Sequence, residues 1–421
     1  MEENNPNLKS WITVAADSDF PIQNLPFGVF SYEGNTSVGV AIGDKIVHLG
    51  HLYDAGLMSD TVEKNVFAKS SLNPFLMLGK KAWRSARKRV SELLREDNAE
   101  LKGNNDLRQK CIIDQNQVTM KMPVEVASFV DFYSSIEHAT NIGSMFRPNN
   151  PLMPNWKHLP VGYNGRSSSV VVSGTSVVRP KGQIKADDAE VPSFGASKLL
   201  DIELEMGFIT GPGKPLSQTI PTAEALDYVF GMVLLNDWSA RDIQKWEYVP
   251  LGPFLGKSFA TSISPWIVTM DALEPFRASS PKQDPPVLPH LQFEGDGNYN
   301  IHLEAHIKTE KMDAPMCMTK TNFQNMYWNI PQQLAHVSSN GTNIEAGDVY
   351  GSGTVSGTTP DSLGSMLELC WRGTRPLKLP SGEERKFLLD GDEVTLKGWC
   401  QGDGYRVGFG KCHGKILPAI D

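Results

Sequence analysis

The sequence of 421 residues has few cysteines and no long apolar run. Its five cysteines are scattered and include no CxxC pair, a pattern that does not indicate a disulfide framework and favours a reducing compartment. No apolar run approaches the roughly 18 residues of a membrane-spanning helix, and the polar segment 1–10 has no apolar signal core. We therefore expect a cytoplasmic protein that does not associate with a membrane.

Positive charge is also scarce. Lysine and arginine number 40 against 48 aspartates and glutamates, which gives a formal net charge of −8. The protein therefore has no general basic field that would hold nucleic acid. Basic residues do concentrate between positions 80 and 97, where apolar residues recur at helical spacing. We interpret this segment as a helix with a solvated basic face.

Glycine, proline and aromatic residues are plentiful, with 37 Gly, 28 Pro and 18 Phe. Residues 27–49 alternate between short apolar runs and turn signals, which predicts a small β-meander. The polar stretch 100–110 is predicted to be a linker. From residue 112 onward, strands do not alternate regularly with helices, which argues against a Rossmann or TIM-barrel layout. The strands predicted in this part are 170–172, 199–208, 228–235, 266–270, 299–308, 365–371, 393–399 and 405–409.

Two histidines lie near an acidic residue in the predicted strand 299–308. His302 and His306 are four residues apart and flank Glu304. Four residues along a strand span about 13 Å, so the two histidines cannot bind the same ion. We interpret this strand face as solvent-exposed.

Residues 200–208 alternate between apolar and polar side chains over nine positions. The alternation predicts a strand whose apolar face meets the core and whose other face carries Asp201, Glu203 and Glu205. Neighbours on one strand face lie about 6.6 Å apart. Such carboxylates can converge on one cation or can all be solvated, and this segment alone leaves both interpretations open.

Two other segments place an aspartate beside bulky apolar residues. Asp131 shares a strand face with Tyr133, in surroundings where a carboxylate is costly without a partner. Asp237 follows an apolar strand and opens a turn. Together with Glu203 and Glu205, these residues form a possible ligand set of hard oxygen donors, which favours Ca²⁺, Mg²⁺ or Mn²⁺ over zinc.

Cationic and amide side chains follow this second strand along the chain. Arg241 and Gln244 are three residues apart, so they share a face if a helical turn follows Asp237. Lys257 and Arg241 can offset part of the negative charge of the four carboxylates. A site of this kind has room for a bidentate, oxygen-rich ligand.

His138 lies close to Asp131 in the sequence. Ser134 and Glu137 fit the S-x-x-E capping box, which places His138 in the first turn of a helix. The positive end of the helix dipole disfavours an imidazolium there, and a neutral imidazole suits a general base. Simple packing or solvation is the alternative for a single histidine.

These segments together resemble the fumarylacetoacetate hydrolase family. The motifs that carry the resemblance are DFYSS at 131–135, HATN at 138–141, DIELE at 201–205, NDWSARDIQ at 236–244 and GKSF at 256–259. The combination of E-x-E with D-W-S-A-R-D is specific, whereas the two glutamates alone are a weak signal. The resemblance covers nearly the whole chain, including an N-terminal part that shorter relatives lack.

The resemblance implies a fold and an assembly. The fold would be mainly β, with a small SH3-like barrel domain, a basic helix and a linker in residues 1–115. A larger mixed β-roll catalytic domain would occupy residues 116–421. The chain would work as a homodimer, and its cysteine pattern predicts that this dimer holds no disulfides.

The resemblance also implies two metal ions. Ca²⁺ would be bound by four carboxylates, those of Asp131, Glu203, Glu205 and Asp237. A second ion, Mg²⁺, would lie near Gly256, Lys257 and Thr261.

Catalytic and substrate-binding roles follow from the same resemblance. His138 would be the general base, and Glu368 would orient it. Arg241, Gln244 and Lys257 would bind the oxyanion and the leaving group. The residues implied to contact the substrate are Tyr133, Arg147, Tyr163, Arg241, Gln244, Tyr248, Gly353 and Thr354.

The implied reaction is hydrolysis of a carbon–carbon bond in a small β-diketo acid. The family's substrate is fumarylacetoacetate, which yields fumarate and acetoacetate in the last step of tyrosine and phenylalanine breakdown. Two alternatives stay open at this point. One is another enolate-forming member of the superfamily, such as an acylpyruvate hydrolase or an oxaloacetate decarboxylase, and the other is a non-catalytic Ca²⁺-binding protein.

Overall fold

The N-terminal part of the described chain combines five short strands with four helices. The computed structural model describes residues 1–420. The strands here are β1 (Phe27–Tyr32), β2 (Asn35–Ile42), β3 (Lys45–His48), β4 (Ile112–Asp114) and β5 (Thr119–Lys121). The helices are α1 (Leu49–Asp54), α2 (Asn73–Leu76), α3 (Gly79–Leu94) and α4 (Asn105–Cys111). The 3₁₀ turns Glu2–Asn4 and Gln115–Gln117 complete this part.

The N-terminal strands form an antiparallel sheet in the order β4-β3-β2-β1-β5. Glu33 and Gly34 join β1 to β2, and both have positive φ, at 48° and 80°. Two such residues make the tight turn that matches strand twist in a two-residue hairpin. The predicted meander over 27–49 is therefore confirmed. The SH3-like form of this domain and the division at residue 115 stay predictions.

The basic helix is present as α3, but its basic face is not simply solvated. Arg87 is buried and donates a hydrogen bond of 2.6 Å to the Gln23 carbonyl. Arg84 forms an ion pair with Asp271 in the C-terminal part. The predicted linker 100–110 is wrong in part, because the Asn104 side chain caps α4 by accepting from the Leu107 amide.

The C-terminal part contains more strands than helices. Its strands are β6 (Phe129–Phe132), β7 (Gly162–Asn164), β8 (Val170–Val172), β9 (Val177–Val178), β10 (Lys181–Ile184), β11 (Ser193–Ala196), β12 (Leu200–Asp201), β13 (Leu204–Thr210), β14 (Val229–Asp237), β15 (Ser239–Ala240), β16 (Thr261–Ile263), β17 (Val268–Thr269), β18 (Arg277–Ala278), β19 (Asn298–Tyr299), β20 (His302–Lys308), β21 (Met316–Asn322), β22 (Val349–Gly351), β23 (Leu377–Lys378), β24 (Glu384–Arg385), β25 (Glu393–Gln401) and β26 (Arg406–Leu417). Its helices are α5 (Ile136–Phe146), α6 (Arg241–Glu247), α7 (Met270–Leu273), α8 (Ile330–Ser338) and α9 (Met366–Leu369). The 3₁₀ turns are Ser167–Ser169, Ala225–Asp227, Glu274–Phe276, Pro289–Leu291 and Phe323–Asn325.

Two sheets pack against each other in this part. One has the order β7-β6-β22-β13-β14-β16-β8, with β17 also paired to β14, and the other has the order β21-β20-β25-β26-β9. Leu234 on β14, Leu303 on β20 and Leu396 on β25 belong to the core between them. The mainly β fold that the sequence predicts is confirmed.

The strand β13 is buried on both of its faces. Met206 and Phe208 face the core between the sheets. Ile209 packs in a second core with Phe27 of the N-terminal sheet and Trp83 of α3. A solvated polar face on this segment, one of the two open interpretations, is therefore excluded. The segment also breaks at Ile202 and Glu203, which lie between β12 and β13.

The predicted strand 365–371 is wrong. Residues Met366–Leu369 form the short helix α9. The Ser365 side chain caps it by accepting a hydrogen bond from the Glu368 amide. The run of apolar residues is buried because the helix is enclosed, and its periodicity over so few residues does not separate a strand from a helical turn.

The cysteines and the hydropathy of the helices can be examined directly in the structure. Across residues 1–420, Cys111, Cys317, Cys370, Cys400 and Cys412 are all free thiols, and Cys317 alone among them is partly exposed. Within the same described range, no helix combines the length and the hydropathy that crossing a membrane requires.

Candidate metal and active site

Four buried carboxylates converge in the C-terminal part. One oxygen from each lies within 4.8 Å of one oxygen from every other, and the four residues are Asp131, Glu203, Glu205 and Asp237. Each of these residues is at most 5% exposed. Their convergence shows that the acidic residues of the sequence gather at one point rather than line a solvated surface.

Strand order produces this convergence. Asp131 lies on β6. Strand β6 pairs in parallel with β22, and this pairing places Asp131 beside Gly351. Strand β22 then pairs with β13, which carries Glu205. A Cβ atom on Gly351 would lie 2.4 Å from Asp131 Oδ1 and 3.0 Å from Glu205 Oε2. A glycine at this position therefore keeps open the space between the two carboxylates.

Two of the carboxylates are short of donors. Asp131 Oδ1 and Glu205 Oε1 are buried and find no hydrogen-bond partner within residues 1–420. Burial raises the pKa of Asp131 well above its usual value, and the charge of Asp237 adds to this rise. Burial and the charge of Asp131 do the same to the pKa of Glu205. Unpaired buried oxygens among like charges are stabilised by a bound cation or by a proton.

The other two carboxylates have cationic partners. Lys257 Nζ lies 2.5 Å from Glu203 Oε2 and 2.7 Å from Asp237 Oδ2. Arg241 Nη1 lies 2.7 Å from Glu203 Oε1. Burial alone would raise the pKa of Glu203, but Lys257 and Arg241 outweigh it and lower that pKa. Burial would lower the pKa of Lys257, but Asp237 and Glu203 raise it, so the lysine stays charged.

Hydroxyl groups complete the surroundings of Asp237. Tyr163 donates a 2.8 Å hydrogen bond to Asp237 Oδ2, and Thr261 donates one of 3.1 Å to Asp237 Oδ1. Thr261 and Lys257, both named for a second ion, thus meet at Asp237. The backbone oxygen of Gly256 accepts from the Ala240 amide at 2.8 Å. The second ion itself stays a prediction.

Helix α6 begins at Arg241, directly after the strand β15. Arg241 and Gln244 share a face of this helix, and Arg241 Nη1 donates to Gln244 Oε1 at 3.3 Å. Arg241 Nε donates to Asp201 Oδ2 at 2.9 Å. The remaining nitrogen, Nη2, is buried without a hydrogen-bond partner in the described chain. This nitrogen is therefore available to a bound ligand.

His138 and Glu368 form a buried pair. His138 Nδ1 lies 2.7 Å from Glu368 Oε2, and both side chains are at most 3% exposed. The N-cap of α5 is Ser135, one residue later than the predicted Ser134, and its side chain accepts from the His138 amide. His138 is therefore in the first turn, as predicted.

Glu368 is held as an acceptor. It receives hydrogen bonds from Asn141, Ser356 and Ser365 as well as from His138. Burial alone would raise the pKa of Glu368, but the charge of His138 and these hydrogen bonds lower it. An ionised Glu368 accepts a proton-bearing Nδ1, which leaves the other ring nitrogen, Nε2, as the basic position.

The other residues predicted to contact the substrate differ in their burial and in their contacts. The ring of Tyr133 meets that of His138 edge to face at 5.3 Å, and Arg147 keeps a buried Nε without a partner in the chain as described. Gly353 has a φ of 80° and donates its amide to Glu205 Oε2 at 3.0 Å. Thr354 is buried, whereas Tyr248 at the end of α6 is 44% exposed.

A second group of metal-binding residue types lies on the sheet β21-β20-β25-β26-β9. Glu304, His306 and Cys317 offer ligand atoms within 4.8 Å of one another, because a bulge sets His306 opposite Cys317. Both Glu304 oxygens already have partners there, with His306 Nε2 at 2.9 Å and Lys320 Nζ at 3.1 Å. This pairing distinguishes the group from the four buried carboxylates, where two oxygens lack donors.

Two family models account for almost the whole chain. The model described as fumarylacetoacetate (FAA) hydrolase C-terminal matches residues 127–416, and the model described as fumarylacetoacetase N-terminal matches residues 23–123. The chain belongs to the fumarylacetoacetate hydrolase family.

Relatives in this family are similar over their full length. The fumarylacetoacetase of Homo sapiens is 54% identical over 417 residues, which cover 98% of this chain and 99% of the human protein. The fumarylacetoacetases of Caenorhabditis elegans and Arabidopsis thaliana are 52% and 51% identical, cover 98% of this chain, and are themselves covered over 100% and 99%.

Solved structures show the same fold at low identity. A fumarylacetoacetate hydrolase from psychrophilic Exiguobacterium antarcticum is 18% identical with a TM-score of 0.53, covering 94% of this chain and 99% of its own. A maleylpyruvate hydrolase from Sphingobium is 16% identical with a TM-score of 0.51, covering 94% and 100%.

The site of this family member fits a divalent cation. All four ligand candidates are carboxylates, two of their oxygens lack donors, and Gly351 leaves the space between them open. Hard oxygen donors of this kind bind Ca²⁺, Mg²⁺ or Mn²⁺.

Sequence reasoning missed several residues of the site. Gly351 and Ser356 lie outside the motifs quoted from the sequence, and Asn141 lies in HATN without a role assigned to it, although Asn141 and Ser356 both bind Glu368. Asp201 lies on the same strand segment as Glu203 but points to Arg241 instead of the other carboxylates. Burial raises the pKa of Asp201, yet every neighbour of its oxygens is an N–H donor and one is a guanidinium, so it is bound in its ionised form.

Proposed function

We propose that this chain hydrolyses fumarylacetoacetate to fumarate and acetoacetate, as the last step of tyrosine and phenylalanine breakdown. The observation that carries the proposal is the buried His138–Glu368 pair next to the four carboxylates. His138 is near enough to Glu203 for its charge to lower the pKa of that carboxyl. The names of relatives at 51–54% identity support the choice of substrate.

The proposal includes the ions. Asp131, Glu203, Glu205 and Asp237 would hold Ca²⁺, and Mg²⁺ would bind beside Lys257 and Thr261. When bound, the divalent cation supplies Lewis-acid stabilisation to the enolate charge that develops on the leaving group.

His138 starts the reaction. Glu368 fixes the proton on Nδ1, so Nε2 accepts a proton from water as the water oxygen attacks the carbonyl carbon of the fumaryl group. The tetrahedral oxyanion then collapses, the carbon–carbon bond breaks and its electron pair leaves with acetoacetate. The departing carbon takes up one proton, which balances the one removed from water.

Hydrogen-bond donors, two of them cationic, stabilise the negative charge that develops during these reaction steps. Arg241 Nη2 has no partner in the described residues, and Arg241 is fixed through its other two nitrogens. Gln244 on the same helix face and the charged Lys257 lie beside it. One such donor typically contributes about 10²–10³ in rate. Tyr133, Arg147, Tyr163, Tyr248, Gly353 and Thr354 are proposed to contact the substrate.

Turnover with and without chelator tests the proposal. We expect the purified protein to hydrolyse fumarylacetoacetate much faster than an acylpyruvate, and to lose this activity in excess chelator. Restoring Ca²⁺ should restore the rate. Faster hydrolysis of acylpyruvate, or decarboxylation of oxaloacetate, would identify another enolate-forming enzyme, and no turnover of any of them with ion bound would leave a Ca²⁺-binding protein.

We further propose that the protein is a cytoplasmic homodimer without disulfides. Light scattering at micromolar concentration should give twice the mass of 46.4 kDa. A thiol reagent should titrate five cysteines after unfolding, but react quickly only with the partly exposed Cys317 in the native protein. Burial raises the pKa of the Cys400 and Cys412 thiols, which slows them further. A monomer, or fewer than five thiols, would contradict the proposal.

A further inference from the structure

Asp201 is a buried carboxylate with no place in the proposed metal ligand set. It is fully buried at the end of β12, which pairs with β15 directly before Arg241. Its two oxygens accept four hydrogen bonds. Oδ1 accepts from the amides of Ile202 and Met366, both at 2.8 Å, and Oδ2 accepts from the Leu367 amide at 3.1 Å and from Arg241 Nε at 2.9 Å.

One side of this carboxylate fixes Arg241. With Nε bonded to Asp201 and Nη1 bonded to Glu203, the guanidinium plane has two anchors and one orientation. The third nitrogen, Nη2, is buried and has no hydrogen-bond partner among residues 1–420. Since a guanidinium is planar and rigid, anchoring two nitrogens positions the third.

The same carboxylate also fixes Glu368. Met366 and Leu367 are the first two residues of α9, and their amides are among those that a helix cannot satisfy internally. Asp201 accepts from both, so it fixes the start of the helix turn that carries Glu368. Glu368 in turn holds His138 at 2.7 Å.

We propose that Asp201 is a positioning residue that holds the oxyanion donor Arg241 and the base-orienting residue Glu368 in one arrangement. It is not one of the four converging carboxylates, and both of its oxygens are occupied by N–H donors. A single carboxylate thereby couples the place where a proton is removed from water to the place where negative charge develops. This inference rests on the proposed function for its kinetic consequences but not for its structural ones.

The Asp201→Asn variant tests the role. An asparagine keeps one acceptor oxygen but turns its NH₂ group toward two N–H donors, so two of the four hydrogen bonds are lost in either orientation. The negative charge that faces Arg241 is lost in both orientations. We expect kcat to fall about 10–100-fold, the effect of one charge-assisted hydrogen bond on a transition-state donor. KM should change far less, because the displaced donor acts on charge that develops in the transition state. Ca²⁺ binding should be unchanged.

Asp392→Asn is the matched control. Asp392 is also buried and also joins an arginine to a backbone amide, since it accepts from Arg385 Nε at 2.9 Å and from the Leu389 amide at 2.8 Å. Both variants should lower Tm, but Asp392→Asn should keep kcat close to that of the wild type. If the two variants have the same kcat, Asp201 is only structural and the proposal is overturned.

Two further measurements separate the pathways. In a double-mutant cycle, Asp201→Asn should cost far less in an Arg241→Gln background than in the wild type, and full additivity would exclude action through Arg241. Hydrogen exchange in the segment 365–371 should accelerate in Asp201→Asn and not in Asp392→Asn. The exchange result does not depend on turnover. Equal exchange rates in the two variants would overturn the bridging role of Asp201, whether or not the wild type hydrolyses fumarylacetoacetate. Failure of the wild type to hydrolyse fumarylacetoacetate would overturn the proposed function instead.

Discussion

Replacing His138 with alanine is expected to lower kcat by about 10²–10⁴-fold, the usual contribution of a general base. The imidazole is buried and held through Nδ1 by Glu368, so only Nε2 is free to accept a proton from water. It is not among the four converging carboxylates, and Ca²⁺ affinity should therefore be unchanged. Steady-state kinetics and calorimetric titration with Ca²⁺ check the two halves of this result.

Glu368→Gln is the companion variant. It should lose less activity than His138→Ala, because the glutamine amide oxygen can still accept a hydrogen bond from Nδ1 and hold the imidazole in place. If His138→Ala keeps most of its kcat, His138 is not the base.

Glu205→Gln and Glu203→Gln are each expected to abolish ion binding and turnover, yet to change the metal-free protein in opposite directions. Glu205 faces other carboxylates and has an oxygen without a donor in the described structure, so the neutral side chain relieves repulsion and should raise Tm in chelator. Glu203 lies between Lys257 and Arg241, so its loss leaves buried cations poorly paired and should lower Tm.

Ion-dependent stability completes this test. At a Ca²⁺ concentration about 100 times its Kd, the wild type should gain about 2.7 kcal/mol, and neither variant should gain this. Glu304→Gln is the control, because Glu304 belongs to the other group of metal-binding residue types and already pairs with Lys320. Normal turnover and metal stoichiometry in both Glu203 and Glu205 variants would remove the carboxylates from the ion site.

Local patterns in the sequence predicted much of the fold. The β-meander over 27–49, the helical spacing in α3 and the apolar run of β14 each depend on neighbouring residues alone. Residues 365–371 were wrongly predicted as a strand, because a short apolar run reads the same in a buried helix turn. The linker prediction missed the side-chain cap at Asn104.

The candidate site was predictable only in part. Carboxylates in recognisable motifs indicated an ion site. The alternation of apolar and polar residues around Glu203 and Glu205 could not show whether their strand face is buried or solvated. Gly351 lies about 150 residues from Glu205 in the sequence and reaches it only through strand pairing. Asp201 was grouped with the other acidic residues because strand periodicity does not show the break at Ile202.

The glycine at position 351 has a consequence for how the sheet assembles. A slip of one residue in strand pairing moves every side chain to the opposite face. If β22 paired one residue out of place with β6, Tyr350 or Ser352 would stand beside Asp131 instead of Gly351. A slip of β22 against β13 would separate Tyr350 from Phe208, whose ring centroids are 4.8 Å apart. A divalent cation held by Asp131 and Glu205 would therefore bind more tightly to the correctly paired sheet and would stabilise that register over a shifted one.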